Sequence, residues 1–228
     1  MRPDEAEPGI SSDREGSETA RAPRQPIEIE PLDWTPPFDW PALFGRSGPV
    51  ELEIGCGKGM FLKEAARANA DTLYLGVERA GKFYRVAVRR LSRARLDTVR
   101  LMRADGLDVL ARWVAPATLR TIHVYFPDPW PKKRHHKRRV FRPALLDLAA
   151  RALVVGGELR AATDDAPYAE LVRTLLAADP RFTALPWPDD APDRYASNYE
   201  LKWRRAGRTL WWGRYRLEGL EHAARPEV

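Results

Sequence analysis

The chain has 228 residues, with 38 Lys+Arg against 32 Asp+Glu, a formal net charge of +6 and a single cysteine, Cys56. That length suits one α/β domain with an appendage, and one cysteine excludes an intrachain disulfide framework and a cysteine-rich metal site. No stretch approaches the roughly 20 apolar residues of a membrane span, and the N-terminus lacks the basic-then-apolar pattern of a signal peptide, so a cytoplasmic protein is expected.

Residues 1–30 hold four Arg against eight acidic residues, a net −4 that leaves +10 on the rest, a field that attracts polyanions. They are rich in Pro, Gly, Ser and Glu, carry too little apolar surface to offset the entropy of ordering, and read as a flexible acidic tail. In 31–49, Trp34, Phe38, Trp40 and Phe44 stand among prolines, which reads as an irregular lead-in draped over the body. The folded domain is expected over 50–228. Apolar runs at Val50–Ile54, Thr72–Val77, Val99–Met102, Thr121–Phe126 and Glu158–Ala162 predict strands; spacings of three and four at Met60–Ala70, Gly81–Ala94, Pro143–Leu153 and Tyr168–Ala177 predict helices. This alternation predicts an α/β, doubly wound, mostly parallel sheet. Phe182–Leu185 and Thr209–Leu217 have no long helix between them and predict a closing antiparallel hairpin, giving seven strands.

In Glu51-Leu-Glu-Ile-Gly-Cys-Gly-Lys-Gly59 a buried strand runs into three glycines and then a helix, the arrangement that admits a nucleotide-type ligand to backbone at a helix N-terminus. A dinucleotide fingerprint would place its third glycine at position 60, where Met60 stands, and Glu53 would repel a phosphate. S-adenosylmethionine, with an ammonium and a sulfonium, suits an acidic turn better than NAD. The glycines alone would permit nothing more than a tight turn. Glu78, about 23 residues beyond Gly55, stands where a doubly wound sheet aims a carboxylate at ribose hydroxyls, and Asp105 stands at the carboxyl end of the third strand, within reach of an adenine amino group.

Phe126-Pro-Asp-Pro-Trp-Pro131 follows the fourth strand. Prolines push Phe126, Asp128 and Trp130 toward extended geometry, so the loop should be stiff and hold Asp128 near the transferred group. Then come Lys132-Lys-Arg-His-His-Lys-Arg-Arg139, a block that suits a phosphate backbone beside a catalytic loop. Adjacent His135 and His136 among cations make a poor metal-ligand set, and no metal is expected. Lys82, Arg85, Arg89 and Arg93 line one face of their helix, either a further basic stripe or an ordinary solvent face.

Taken together, Glu53-Ile-Gly-Cys-Gly-Lys-Gly59, Gly76-Val-Glu78, Phe126-Pro-Asp-Pro-Trp130 with its basic run, Ala162-Thr-Asp164 and Ser197-Asn-Tyr-Glu200 resemble the tRNA (guanine-N7-)-methyltransferase family, bacterial single-subunit type, over about 50–217. The resemblance implies a Rossmann-like methyltransferase sheet with S-adenosylmethionine as cofactor. It implies that Glu53, Gly55, Gly57, Glu78, Asp105 and Asp128 form the cofactor site, with Asp128 also the catalytic residue. It further implies that Lys132, Asp164, Ser197, Asn198, Tyr199 and Glu200 contact substrate, and that Arg134, His135, His136, Lys137, Arg138 and Arg139 approach RNA. The implied target is guanosine 46 in the tRNA variable loop, with no obligatory protein subunit and a monomer or homodimer as the assembly. Ser197 stands where the family often has Thr, a change that keeps the hydroxyl.

Overall fold

The computed structural model describes residues 26–187 and 209–219. Within these described residues eight strands form: β1 (Glu28–Ile29), β2 (Val50–Ile54), β3 (Leu73–Val77), β4 (Val99–Met102), β5 (Leu119–Tyr125), β6 (Leu153–Thr163), β7 (Phe182–Leu185) and β8 (Trp211–Leu217). The helices are α1 (Trp40–Phe44), α2 (Met60–Ala68), α3 (Gly81–Ala94), α4 (Gly106–Arg112), α5 (Pro143–Ala152) and α6 (Ala166–Ala177). The strands make one sheet in the order β1-β4-β3-β2-β5-β6-β8-β7. Pairing is parallel from β1 through β6, and β8 runs antiparallel to both β6 and β7.

The central strands are short and buried because helices cover both faces. Every residue of β2, β3 and β4 is buried, and each leucine side chain so removed from water contributes about 2 kcal/mol. One face packs against α1, α4, α5 and α6 through Leu43, Leu110, Leu145 and Val172; the other packs against α2 and α3 through Leu62, Ala65, Ala87 and Leu91. The doubly wound, mostly parallel architecture with an antiparallel C-terminal hairpin is therefore as the residue pattern predicts.

Among the described residues the sheet has eight strands rather than seven, because Glu28–Ile29 adds a two-residue parallel edge beside Leu101–Met102. Two residues carry no readable alternation, and they fall in the stretch assigned to the acidic tail, whose residues 1–25 lie outside the described residues. The lead-in likewise contains helix, not only irregular chain: Asp39 caps α1 by accepting from Ala42 N at 3.1 Å, Pro41 sits in its first turn, and Gly45 closes it at φ 71°. Arg100, buried in β4, docks this helix by donating to the carbonyls of Leu43 (3.1 Å) and Phe44 (3.4 Å). A charged residue inside a strand core is thus explained by the helix end it satisfies. α4 is too short for periodicity to reveal it, and Asp105 starts it by accepting from Leu107 N at 3.0 Å. β6 begins as soon as α5 ends, and its register against β5 jumps from Leu119↔Leu153 to Thr121↔Glu158, so 154–157 bulge outward.

Candidate active site

Strand β2 lies where the chain order reverses, with β3 and β4 on one side and β5 and β6 on the other. Ligands of open α/β sheets bind beyond the carboxyl ends at this point. Here β2 ends in the glycine turn and its neighbour β5 ends in the proline loop. Gly55 N and Cys56 N both donate to Val77 O, at 2.8 and 3.0 Å, which bends the chain away from the sheet. Gly55 (φ 76°) and Gly57 (φ 56°) occupy the left-handed region that side chains resist. The third glycine, Gly59, is left-handed as well (φ 67°) and also serves packing: a Cβ on it would lie 2.9 Å from Leu91 Cδ1 and 3.2 Å from Ala87 Cβ, so it lets α3 approach.

A cavity of about 790 Å³ opens there, and its walls include Glu53, Gly55, Gly57, Glu78, Asp105 and Asp128. All six residues implied for the cofactor site are thus gathered around one space. Glu53 is 4% exposed, and among the described residues its Oε2 has no hydrogen-bond partner. Burial, and secondarily the negative Glu78, raise its pKa from 4.5 to about 8. A buried carboxyl with an unused acceptor at the wall of a cavity fits a cationic ligand. Glu78 accepts from Gly57 N (2.9 Å) and Ala80 N (2.6 Å), so it ties the glycine turn to the end of β3 and keeps lone pairs for a ligand. Asp105 combines its capping bond with an ion pair to Arg79 at 3.6 Å.

The proline loop departs from the extended geometry its sequence predicts. Phe126 (φ 51°) and Trp130 (φ 44°), both followed by proline, adopt left-handed backbone, which costs about 1–3 kcal/mol each. Tertiary contacts override the local preference. Phe126 N continues the β5–β6 pairing by donating to Ala162 O at 2.8 Å, while its ring stands perpendicular to Trp212 at 6.0 Å. Arg139 donates through Nε to Pro129 O (2.8 Å) and through Nη2 to Trp130 O (3.2 Å), and Arg138 stacks over the Trp130 ring at 5.0 Å. The loop is stiff, then, through arginine clamps as well as prolines, with Asp128 exposed at its apex.

The basic run forms a 3-10 helix over Lys133–Arg138. Its members do different things. Lys137, Arg138 and Arg139 line the cavity; Lys132, Arg134 and His136 are exposed outside it, and His135 packs edge-on against Trp130 at 5.5 Å. Asp164 is half-buried just beyond the carboxyl end of β6, the strand beside β5. Ser197, Asn198, Tyr199 and Glu200 lie outside the described residues. Among the described residues no group of three or more His, Cys, Asp or Glu is placed to hold a metal, and no helix is long and apolar enough to cross a membrane.

Sequence reasoning misses a buried polar chain behind this wall. Tyr125 lines the cavity, its hydroxyl pairs with His123 Nδ1 at 2.8 Å, and His123 Nε2 donates to Glu51 Oε2 at 2.8 Å. Burial alone would raise the Glu51 pKa, but the His123 hydrogen bond and the Arg120 guanidinium hold it at about 2. The signal was present: Glu51, Thr121, His123 and Tyr125 put polar groups at alternate positions of two supposedly apolar strands.

Methyltransf_4, a methyltransferase family, matches residues 47–212. Among solved structures, the fold is similar to a 16S rRNA methyltransferase, KamB (TM-score 0.58, 12% identity, 79% of this chain and 93% of that one), and to a SAM-dependent O-methyltransferase of Thermotoga maritima (TM-score 0.53, 16% identity, 86% and 70%). At those identities the likeness is one of fold alone. The tRNA (guanine-N(7)-)-methyltransferase of Halorhodospira halophila is 40% identical over 197 residues, covering 84% of this chain and 81% of that protein. That of Thiobacillus denitrificans is 37% identical over 211 residues, covering 89% and 90%. With 41% identity over 177 residues to the Mycobacterium avium enzyme of the same name as well, 75% of this chain and 68% of that one, the chain belongs to the tRNA (guanine-N(7)-)-methyltransferase family.

Proposed function

We propose that the chain, as a cytoplasmic enzyme, transfers a methyl group from S-adenosylmethionine to N7 of guanosine 46 in the tRNA variable loop, with Asp128 as its catalytic residue. The observation that carries the reading is the meeting, on one cavity, of an orphaned buried carboxyl with a clamped Asp128 loop and cations of the basic run. Glu53 takes the cationic amino-acid end of the cofactor, Glu78 the ribose hydroxyls and Asp105 the adenine side, while Gly55 and Gly57 leave the backbone open to it. The cofactor supplies a methyl group on a sulfonium, open to in-line attack by the N7 lone pair.

N7 carries no proton, so no side chain has to act as a base. Asp128 orients the purine and stabilises the positive charge that grows on it. Asp164, together with Glu200, accepts from the guanine N1 and N2 donors and so discriminates against adenine. Lys132 and Ser197 to Tyr199 contact the substrate, and the exposed members of the 134–138 segment face its phosphates.

Arg139 has two duties, since its charge adjoins the RNA side while its fork holds two loop carbonyls. Lysine cannot span both. Arg139→Lys should therefore lower kcat/KM about tenfold with S-adenosylhomocysteine affinity unchanged, by steady-state kinetics and calorimetry. The function itself is tested by incubating the protein with unmodified tRNA and methyl donor and analysing nucleosides by mass spectrometry. 7-Methylguanosine is expected, and it should vanish when position 46 is changed to adenosine; another methylated nucleoside would overturn the assignment.

A further inference from the structure

Helix α3 carries Lys82, Arg85, Arg89, Arg90 and Arg93 and no acidic residue. Tyr84, Ala87 and Leu91 bury its inner side, and on the flank Arg90 donates to the Lys58 carbonyl at 2.8 Å. Lys82, Arg85, Arg89 and Arg93 are exposed. At 3.6 residues per turn they fall within an arc of about 80°, along a line of about 16 Å. Among the described residues none of the four has an ion-pair partner. Glu78, shortly before the helix, is engaged with two backbone N–H groups, and Asp105 with Arg79 and its own helix. Like charges at spacings of three and four repel along a helix, and among the described residues no ion pair of these four offsets that cost. A polyanion would.

The position of the stripe narrows the partner. Arg79 and Ala80, just before α3, and Phe83 in its first turn line the cofactor cavity, and Lys137, Arg138 and Arg142 line the same cavity from another segment. Two cationic tracts therefore start at one cavity, one a compact turn and the other a straight, rigid rod leading away from it. A flexible single strand is not matched to a rod, whereas the regular phosphate ridge of a double-helical RNA arm is.

The geometry points to a second RNA-backbone tract: the Lys82, Arg85, Arg89 and Arg93 face of α3 binds the phosphates of a helical arm of tRNA remote from the guanosine in the cavity. This inference rests on the tRNA reading above. Its test is the full-length chain with Lys82→Gln, Arg85→Gln, Arg89→Gln and Arg93→Gln combined. Circular dichroism and thermal stabilisation by S-adenosylhomocysteine, which the stripe does not touch, should match wild type and report an intact fold. Affinity for tRNA should fall at least about tenfold, and the slope of log K against log salt should shrink by about 3, as expected for four lost phosphate contacts. The loss should fall on KM for tRNA rather than on kcat. An unchanged salt slope overturns the inference, as does a lower kcat at unchanged KM. Should the quadruple variant fail to fold, the Arg89→Gln, Arg93→Gln pair at the far end of the rod should still lower the slope by about 1.5, and an unchanged slope there also overturns it. Wild-type activity on the same tRNA separates the two readings: if it forms no 7-methylguanosine, the tRNA reading falls and this one with it.

Discussion

Replacing Asp128 by alanine is expected to lower kcat for methyl transfer by about 10²–10³-fold while tRNA affinity stays within about threefold of wild type. In the proposed complex phosphate contacts on other segments dominate RNA affinity, so one apical carboxylate should contribute little to it. In the proposed reaction its contribution is concentrated where the purine becomes cationic. The two left-handed residues and the Arg139 fork hold Asp128 in place before substrate arrives, so little reorganisation is needed as charge develops. Asp128→Asn should lie between alanine and wild type, because an amide keeps an acceptor for orientation but not the negative charge. Single-turnover rates with filter-binding affinities distinguish the cases. An Asp128→Ala protein that turns over like wild type would remove Asp128 from the reaction.

Glu53→Gln is expected to weaken S-adenosylhomocysteine binding about 10²-fold at pH 8 and, at the same time, to make the ligand-free protein melt at a higher temperature. Glu53 has a folded-state pKa of about 8 against 4.5 in an exposed chain. Between those values the unfolded chain has released a proton that the folded one retains, so the ligand-free fold loses stability as pH rises from 4.5 to 8. Glutamine resembles the protonated form and abolishes that loss. A cation beside Glu53 favours the ionised form, so binding below pH 8 expels a proton, and affinity should climb with pH and level off near 8. The variant should show no such climb. Melting curves with and without ligand from pH 5 to 9 measure both effects; a full wild-type ligand shift in Glu53→Gln would show that the cation sits elsewhere.

The parts of this site legible in the sequence are those built from one contiguous segment. The strand, glycines and Glu53 form one such unit and the loop around Asp128 another, and each carries its own backbone restrictions. Long strands and helices are legible for the same reason, since burial of one face repeats many times along them. Five-residue α1 and seven-residue α4 repeat too little, although Asp39, Pro41 and Gly45 are punctuation that marks the first of them. What joins distant segments stays hidden. No local rule predicts that Phe126 and Trp130 would leave extended geometry, because the forces that move them come from β6, β8 and Arg139. Glu51 meeting His123 across two strands depends on register in the same way.

The placement of β8 between β6 and β7 bears on the order in which the molecule can be assembled. β7 is translated first, yet among the described strands it pairs only with β8, so it has no neighbour until residue 217 has left the ribosome. Until then β6 presents an unpaired edge that includes the segment from Glu158 to Thr163, the very rail that carries Ala162 to Phe126. The nascent chain can lay down its cofactor half early, but the strand that shields β6 is the last of the described strands to be synthesised, which leaves that edge open to misassociation in the interval before its arrival.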